Sequence, residues 1–273
     1  LPFDNNNVTA TDLGVSAGFL SSIDGIGAVS SSDARDMVVG VIQGFRLSID
    51  TLTGTLYKTN GDINFSETDT NGAKTWKLYD PLTGLAVVQN PPRAPDFDPP
   101  QNHATKYGVG GTQVGDGFYW DHFNRETMVY LPTNGGMMHG FLAETGEEVF
   151  AYIPGDVLGL DTNEVAGSRD TLKDLVELLV AENNGITNHQ FLMSGSPIVG
   201  DAFLRSDNGG DDEWHTMLVF GRGRGGRFIS GLDITDPSNP LLRFNRGNSE
   251  GQNDGQYDGL GETWSTPVMG NVQ

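Results

Sequence analysis

Residues 128 to 154 constrain the fold more than any other stretch. Three short, β-prone runs are separated by two turn sequences, and these runs are residues 127–131, 137–143 and 148–153. Residues 134–136, Asn-Gly-Gly, can form a hairpin turn because they tolerate positive φ. Residues 144–147 turn the chain again, and Pro154 stops the third strand. Such a meander cannot bury both of its faces alone, so it needs further sheets packed on it.

A repeat supplies those sheets. Residues 196–201, Ser-Pro-Ile-Val-Gly-Asp, are echoed 70 residues later by residues 266–271, Thr-Pro-Val-Met-Gly-Asn. Acidic turns follow strands at four places, which are Asp50, Asp80, Glu144 and Asp233. Self-similar four-strand units predict a mainly β chain that folds as a β-propeller, with blades of four-stranded antiparallel sheets. We count three to four blade equivalents. Because a closed propeller needs ~4–8 blades, we expect the circle to be incomplete in this chain.

The second half of the chain shows the repeated unit again. We predict a strand pair within residues 190–203 and three further strands, at residues 214–221, 227–234 and 241–244. Residues 222–226, Arg-Gly-Arg-Gly-Gly, are predicted to form a hairpin turn. The alternative is that their backbone N–H groups cradle an anion.

Two helical segments accompany the strands. Residues 1–45 are predicted to be a leading segment with a short helix from Ser31 to near Gly44, and residues 46–273 to be the propeller blades. A helical insertion is predicted at about 166–184, capped within residues 168–170, with apolar residues at helical spacing. The chain starts at Leu1 without a signal peptide, so we expect a processed form or an excerpt.

The charge balance excludes several classes of partner. Lys and Arg total 16 and Asp and Glu total 36, a formal net charge of −20. An acidic surface repels nucleic-acid phosphates and anionic lipid, so we expect no nucleic-acid binding. The absence of cysteine excludes disulfides, thiol catalysis and Cys-ligated metals. No apolar run approaches the ~20 residues of a membrane span, so we expect no membrane insertion.

The sequence contains no catalytic motif that we recognise, and its histidines and aromatic residues can be explained by packing. No two of the five histidines have metal-ligand spacing, and there is no Gly-x-Ser-x-Gly motif, so we predict no enzyme. His139, in a strand, is interpreted as a packing residue. Residues 117–123 form an aromatic cluster that is interpreted as packing beneath a loop or, alternatively, as a carbohydrate platform.

Two acidic clusters can offer hard oxygen ligands to calcium. Neither has the ligand order of an EF-hand loop, and the alternative interpretation is a solvated turn. The candidate metal-binding residues are Asp207, Asn208, Asp211, Asp212, Asp254 and Asp258.

Residues 134–154 also resemble a known family, the PilY-type proteins at the tip of type IV pili. The matching residues are Asn134, Gly136, Met137, His139, Phe141, Thr145, Gly146, Glu148, Ala151, Tyr152, Ile153 and Pro154. Gly135 replaces the family's usual Asp, and Gly140 its usual Ala. A second blade matches at Trp214-x-Thr216, in the Gly-rich stretch 221–227 and at residues 232–237.

The resemblance implies a non-enzymatic protein that promotes type IV pilus assembly, twitching motility and adhesion. It implies export through the periplasm to an extracellular location, at the pilus tip or outer surface of a bacterium. The implied partners are minor pilins of the tip complex and a surface or host receptor. We expect the contacts to involve the aromatic run 118–120, the turn 207–213 and the helix 168–182. Calcium is a possible cofactor by resemblance, but the family's calcium loop lies further along than this sequence reaches.

A second family resemblance gives the alternative function. Residues 142–150 resemble the docking repeat of quinoprotein propeller enzymes, which would make the chain a periplasmic dehydrogenase. Phe150 stands where that repeat has Trp, and neither an Asp–Glu–Asn metal set nor paired cysteines accompany it. A quinone cofactor would give visible absorbance and alcohol- or sugar-dependent dye reduction, which an adhesin lacks.

Overall fold

Two four-stranded antiparallel sheets form most of the structure, which is a computed structural model. The residues that it describes are 6–19, 30–42, 46–47, 58–59, 62–63, 65–66, 80–96, 103–158, 171–181, 189–204, 211–248, 257 and 259–270. The helices are α1 (Ser31–Ile42), α2 (Ala104–Tyr107), α3 (Phe118–His122), α4 (Gly155–Leu158) and α5 (Leu172–Ala181). The strands are β1 (Arg46–Leu47), β2 (Lys58–Thr59), β3 (Asp62–Ile63), β4 (Phe65–Ser66), β5 (Val87–Gln89), β6 (Met128–Thr133), β7 (Met137–Leu142), β8 (Glu148–Tyr152), β9 (Ile198–Leu204), β10 (Glu213–Gly221), β11 (Phe228–Asp233) and β12 (Leu241–Gly247).

The first sheet, blade 1, has the order β5-β6-β7-β8, and each strand pairs with its chain neighbour. The predicted central meander is confirmed, because β6, β7 and β8 lie within two residues of the predicted runs. Both turns contain the expected glycine in the left-handed region, Gly136 at φ 81° and Gly146 at φ 73°. Local turn chemistry therefore fixes the register of this sheet.

The second sheet, blade 2, repeats this arrangement in the order β9-β10-β11-β12. The strands β10, β11 and β12 confirm the predicted runs, but the predicted strand pair within residues 190–203 is wrong. Only β9 forms there. The preceding segment crosses the end of the sheet instead, where the Ser194 amide donates to the Arg222 carbonyl at 3.0 Å. Gly195 lies so close to Gly221 that a Cβ would be 2.7 Å from the Gly221 oxygen.

The two blades share an unusual internal contact. In each, the ladder between the last two strands shifts register just after a glycine, Gly140 in blade 1 and Gly231 in blade 2. A phenylalanine of the last strand covers that glycine, since a Cβ on Gly140 would lie 2.6 Å from the Phe150 ring and one on Gly231 2.3 Å from the Phe244 ring. Gly140 stands where the family usually has Ala, and here the Phe150 ring occupies the space that an alanine methyl group would need.

The blades are neighbours through their first strands, because β5 and β9 lie side by side. A further segment begins the same pattern beyond blade 2, where Thr263 forms a bridge with Gly223 and Met269 approaches Gly200 on β9. Within the described residues there are two four-stranded sheets and two pairs of two-residue strands, and the count of three to four blade equivalents stays a prediction. These sheets do not close into a ring, as expected for an incomplete propeller.

Helices α1, α4 and α5 belong to the same hydrophobic core as blade 1. The predicted helix α1 is confirmed, and Ser30 caps it by accepting from the Asp33 amide at 3.1 Å. Buried residues of the preceding segment join this core; they are Val8, Leu13, Val15 and Phe19. The leading segment is therefore packed where the structure describes it.

Helix α5 lies within the predicted insertion and packs against α1. Its start is held by Thr171, whose hydroxyl and amide both donate to Asp174 at 2.8 Å. The cap predicted within residues 168–170 lies outside the described residues. The side chains of Leu172, Leu175 and Val176 are fully buried, so this face covers the end of blade 1.

Candidate interaction surface

The connection between β5 and β6, residues 90–127, is the largest departure from a plain meander. It contains α2 and α3, two helices that the sequence does not predict, because segments of four or five residues are too short to show helical periodicity. Gly108 ends α2 in the left-handed region, at φ 118°. A Cβ on Gly117 would lie 2.7 Å from the Gly108 nitrogen, so the two glycines allow the helices to approach closely.

Helix α2 and the residue before it bind blade 2 through hydrogen bonds and a ring contact. The Trp214 indole on β10 donates to the His103 carbonyl at 3.2 Å, and its ring packs edge-on against Tyr107 at 5.0 Å. The Tyr107 hydroxyl donates to Asp201 on β9 at 3.2 Å. Lys106 donates to the Asp212 carbonyl at 2.8 Å. A loop of blade 1 is thereby fastened to the first hairpin of blade 2.

Arg125 fastens the other end of the insertion. Its guanidinium donates to the Thr216 hydroxyl at 2.6 Å and to the Asn90 carbonyl at 3.0 Å. Burial lowers the pKa of Arg125, an effect that the negative charge of Asp201 opposes. Burial, and then the positive charge of Arg125, lower the pKa of His122 as well, which favours its neutral form.

The aromatic cluster at 117–123 consists of one buried ring and three rings that are less buried. Phe118 is buried and packs against Tyr107 at 5.6 Å, which confirms the packing interpretation for this residue. Tyr119 and Trp120 are half-buried and pack with Phe123 at ring distances of 5.1 to 6.2 Å, and we call these three residues the aromatic patch. Phe123 is 37% exposed.

A buried ion pair joins the two blades at their cores. Arg222, at the end of β10, is fully buried and binds Asp156 of α4 in a bidentate pair at 2.9 and 2.7 Å. The same guanidinium donates to Ser230 at 2.7 Å and to Asn245 at 3.0 Å. Burial raises the pKa of the adjacent Tyr152 to about 12. Asp156 was not singled out from the sequence, and Arg222 was predicted only as part of the 222–226 turn or anion cradle, so the ion pair between them was missed.

The anion cradle suggested for residues 222–226 is wrong. The Gly223 amide donates to Thr263, that of Arg224 to the Ser194 hydroxyl and that of Gly225 to the Arg222 carbonyl. These groups are occupied by the protein, so the stretch is a hairpin turn bound by the segments on either side.

Uncharged side chains also cross between the blades. Gln89 on β5 is fully buried, accepts from the Tyr130 hydroxyl and donates to the Ile234 carbonyl at 3.0 Å. The Leu192 amide donates to the Asn134 side chain at 3.3 Å, so the segment leading into blade 2 rests on a turn of blade 1.

Three histidines are bound by carboxylates. His139 is buried between Glu148 and the Thr133 hydroxyl, as the packing interpretation predicted. His189 pairs with Asp80, and His215 lies 2.8 Å from Asp233. In the part of the chain that the structure describes, no three His, Asp or Glu side chains are grouped closely enough to hold a metal ion.

Only two of the candidate calcium-binding residues lie within the described part of the chain. Asp211 and Asp212 are exposed, and Asp211 pairs with Lys106 at 3.6 Å. The remaining candidates lie outside the described residues; they are Asp207, Asn208, Asp254 and Asp258. Calcium binding therefore stays a prediction.

The docking repeat suggested for residues 142–150 forms the end of β7, the following turn and most of β8. Phe150 packs inside its own blade, over Gly140 and 5.9 Å from the Tyr130 ring. The quinoprotein alternative gains no support from this packing.

Comparison with known proteins agrees with this architecture. The family model described as "PilY1 beta-propeller domain" matches residues 115–273, which include strands β6 to β12. The chain belongs to the PilY1 β-propeller family. The resemblance seen in the sequence is thereby confirmed.

Several relatives of the PilY1 family are similar to this chain over part of their length. The type IV pilus biogenesis factor PilY1 of Pseudomonas aeruginosa strain UCBPP-PA14 is 32% identical over 148 residues, covering 54% of this chain and 10% of that protein. A PilY1 homolog of Xylella fastidiosa strain Temecula1 is 32% identical over 146 residues, with the same coverage. The chain thus spans about a tenth of these curated relatives. The crystal structure of the P. aeruginosa PilY1 C-terminal domain has 30% identity, covers 55% of this chain and 23% of that one, and gives a TM-score of 0.34.

Among the described helices, the longest has 12 residues, and none is long and apolar enough to cross a membrane. This finding concerns only those helices.

Proposed function

We propose that this chain is the propeller portion of a non-enzymatic type IV pilus biogenesis factor. The carrying observation is the family match over residues 115–273, which spans most of blade 1 and all of blade 2. The curated relatives named as type IV pilus biogenesis factors support this role. The protein acts at the pilus tip or outer cell surface, where it contacts minor pilins and a surface or host receptor.

Its contribution is mechanical and recognitional. Two sheets joined by a buried ion pair and by the β5–β6 insertion form a stiff support, and loops carried on a stiff support are suited to recognition. Calcium binding by the acidic loops would modulate this support. The net charge of −20 is compatible with such binding.

The helix α5 requires a different test from simple deletion. Three of its side chains, Leu172, Leu175 and Val176, are fully buried. Removing the helix would open the core, so a loss of adhesion after deletion would report unfolding rather than a lost contact.

Gene disruption in the bacterium that makes the protein tests the pilus role. We expect fewer surface pili and weaker adhesion, and rescue of both by the wild-type gene. A Glu147→Gln gene is the matched control, because Glu147 is exposed in the β7–β8 turn and its loss should not change rescue. Unchanged pilus number and adhesion in the disrupted strain would overturn the proposal.

Two measurements on the purified protein test the finer claims. We expect no visible absorbance and no dye reduction with alcohols or sugars, whereas a signal in both would favour the dehydrogenase. After chelation, we expect added Ca²⁺ to raise the thermal midpoint more than Mg²⁺, because flexible oxygen sites favour the larger ion. An equal response to both ions would remove calcium from the proposal.

A further inference from the structure

The β5–β6 insertion carries aromatic and apolar side chains that are not needed to hold the two blades together. Tyr107 and Phe118 already hold the insertion against blade 2. The rings of the aromatic patch take no part in these two contacts; Tyr119 and Trp120 are half-buried, Phe123 is exposed, and the same loop exposes Val109 by 39% and Val114 by 69%. Clustered exposed apolar and aromatic side chains are typical of binding surfaces.

The rings of the patch form a ridge and not a flat platform. Tyr119 meets Trp120 at an interplanar angle of 78°, and Phe123 meets Trp120 at 63°. The pyrrole edge of Trp120 is covered, because its Nε1 donates to the Gly108 carbonyl at 3.0 Å and Gly111 packs beside it. A sugar ring stacks best on an open, flat aromatic face. These rings pack edge to face without a gap between them, so a partner side chain would lie over the ridge and not between its rings.

Two carboxylates stand beside the ridge. Asp116 lies next to Trp120 across Gly111 and accepts from the amides of Thr112 and Gln113 at 2.7 and 3.1 Å. Asp121 is exposed and accepts from the Gly115 amide at 2.7 Å. These bonds fix the positions of two negative charges. Within the described part of the chain, neither carboxylate forms an ion pair with Lys, Arg or His.

We propose that the aromatic patch, with Asp116 and Asp121, binds a protein partner through a protruding Arg or Lys side chain flanked by apolar residues. Aromatic rings attract a cation placed over them, and nearby carboxylates add charge-assisted hydrogen bonds. The exposed valines and Phe123 supply the apolar contact. A second acidic surface would be repelled, so the partner is locally basic. This surface does not depend on the pilus role.

Binding of defined peptides to the full chain tests this surface. The probes are three labelled peptides of equal length and leucine content, which carry Arg, Gln or Glu at the remaining positions. Fluorescence anisotropy is measured at 150 mM salt, which screens general attraction to the acidic chain. We expect the Arg peptide to bind, and the Gln and Glu peptides to bind at least about tenfold more weakly.

Two variants and two controls locate the site. Asp121→Asn keeps the oxygen that accepts from Gly115 but loses the charge, and Phe123→Ala removes part of the ridge. Each should weaken binding of the Arg peptide about fivefold to tenfold. Glu147→Gln and Leu241→Ala remove an exposed charge and an exposed apolar side chain elsewhere, and should change it less than about twofold.

The outcomes separate a specific surface from general charge attraction. Equal effects of the patch variants and the controls would overturn the proposal, as would equal binding of the Arg and Gln peptides. Thermal unfolding of each variant is measured in parallel. Asp121→Asn is the deciding variant should Phe123→Ala unfold, because the exposed Asp121 side chain contributes little to the core.

Discussion

Blades 1 and 2 have the same sheet but different connections. Both place a phenylalanine over a glycine at the same register shift. Blade 2 joins its first two strands through residues 205–212, whereas blade 1 uses residues 90–127, which carry two helices, the contacts to blade 2 and the aromatic patch. The sheet is therefore the repeated unit, and the described part of residues 90–127 adds helices and cross-blade contacts to it.

The blades also differ in the charge that each places at their shared interface. Blade 1 is followed by Asp156, and blade 2 contributes Arg222. Both side chains are almost completely buried, at 1% and 0% exposure. Removing one partner of a buried pair leaves an uncompensated charge, which costs more than the pair contributes.

Breaking this pair should have the largest effect. We expect Asp156→Ala to lower the free energy of unfolding by about 3–5 kcal/mol, since it leaves the Arg222 guanidinium buried and unpaired. Chemical denaturation measures the change. Combining Asp156→Ala with Arg222→Met should recover much of the loss, because an apolar pair requires no charge in the interior. A double variant as unstable as the single variant would contradict this account.

Adding a methyl group to the shared glycines tests whether the two sheets are equivalent. Gly140→Ala and Gly231→Ala should each cost about 1–3 kcal/mol, because the new Cβ would meet the Phe150 or the Phe244 ring. The same denaturation experiment applies. Gly259→Ala, at a position with open space, is the control and should be nearly neutral. A large cost in only one blade would show that the repeat does not extend to packing.

The sequence predicts the sheets better than it predicts what joins them. Strands β6 to β8 could be placed because short β-prone runs and turn glycines such as Gly136 are local signals. The Asp156–Arg222 pair could not, because its members lie 66 residues apart and neither position shows a periodic signal. The strand pair predicted within residues 190–203 failed because Ser194 bonds to Arg222, 28 residues away, and not to a partner strand in a local hairpin. Contacts between segments that are distant in the sequence depend on the tertiary structure, so local sequence patterns do not predict them.

The contact between the insertion and blade 2 gives a smaller effect. Trp214→Phe keeps an aromatic ring beside Tyr107 but loses the hydrogen bond to the His103 carbonyl. We expect a loss of about 0.5–1.5 kcal/mol and faster amide hydrogen exchange in residues 103–123. Trp264→Phe is the matched control, because that indole bonds only to exposed Glu262 among the described residues. Exchange in the insertion that is unchanged by Trp214→Phe would mean that other contacts hold it.

The smallest expected effects are on the pH dependence of stability. The insertion of blade 1 and blade 2 should each lose stability in a different pH range. Burial, and then Arg125, lower the pKa of His122 below its ordinary value of 6.5, so the unfolded chain takes up a proton first as the pH falls. Stability contributed by neutral His122 in the insertion of blade 1 is present above about pH 6.5 and lost below it.

Asp233 in blade 2 responds only at lower pH. Burial alone would raise its pKa, but hydrogen bonds from Thr235 and Arg243 and the nearby His215 outweigh burial and lower the pKa below 3.8. Its stabilising contribution is therefore present above that value and lost as the pH falls through the folded-state pKa. Unfolding of His122→Gln and Asp233→Asn, measured from pH 7 to pH 3, separates the two pH ranges. His122→Gln should reduce the pH dependence of the unfolding free energy only in the upper range. Asp233→Asn should reduce it only in the lower range. If His122→Gln leaves the slope between pH 7 and pH 5 unchanged, burial of His122 does not couple the insertion to pH.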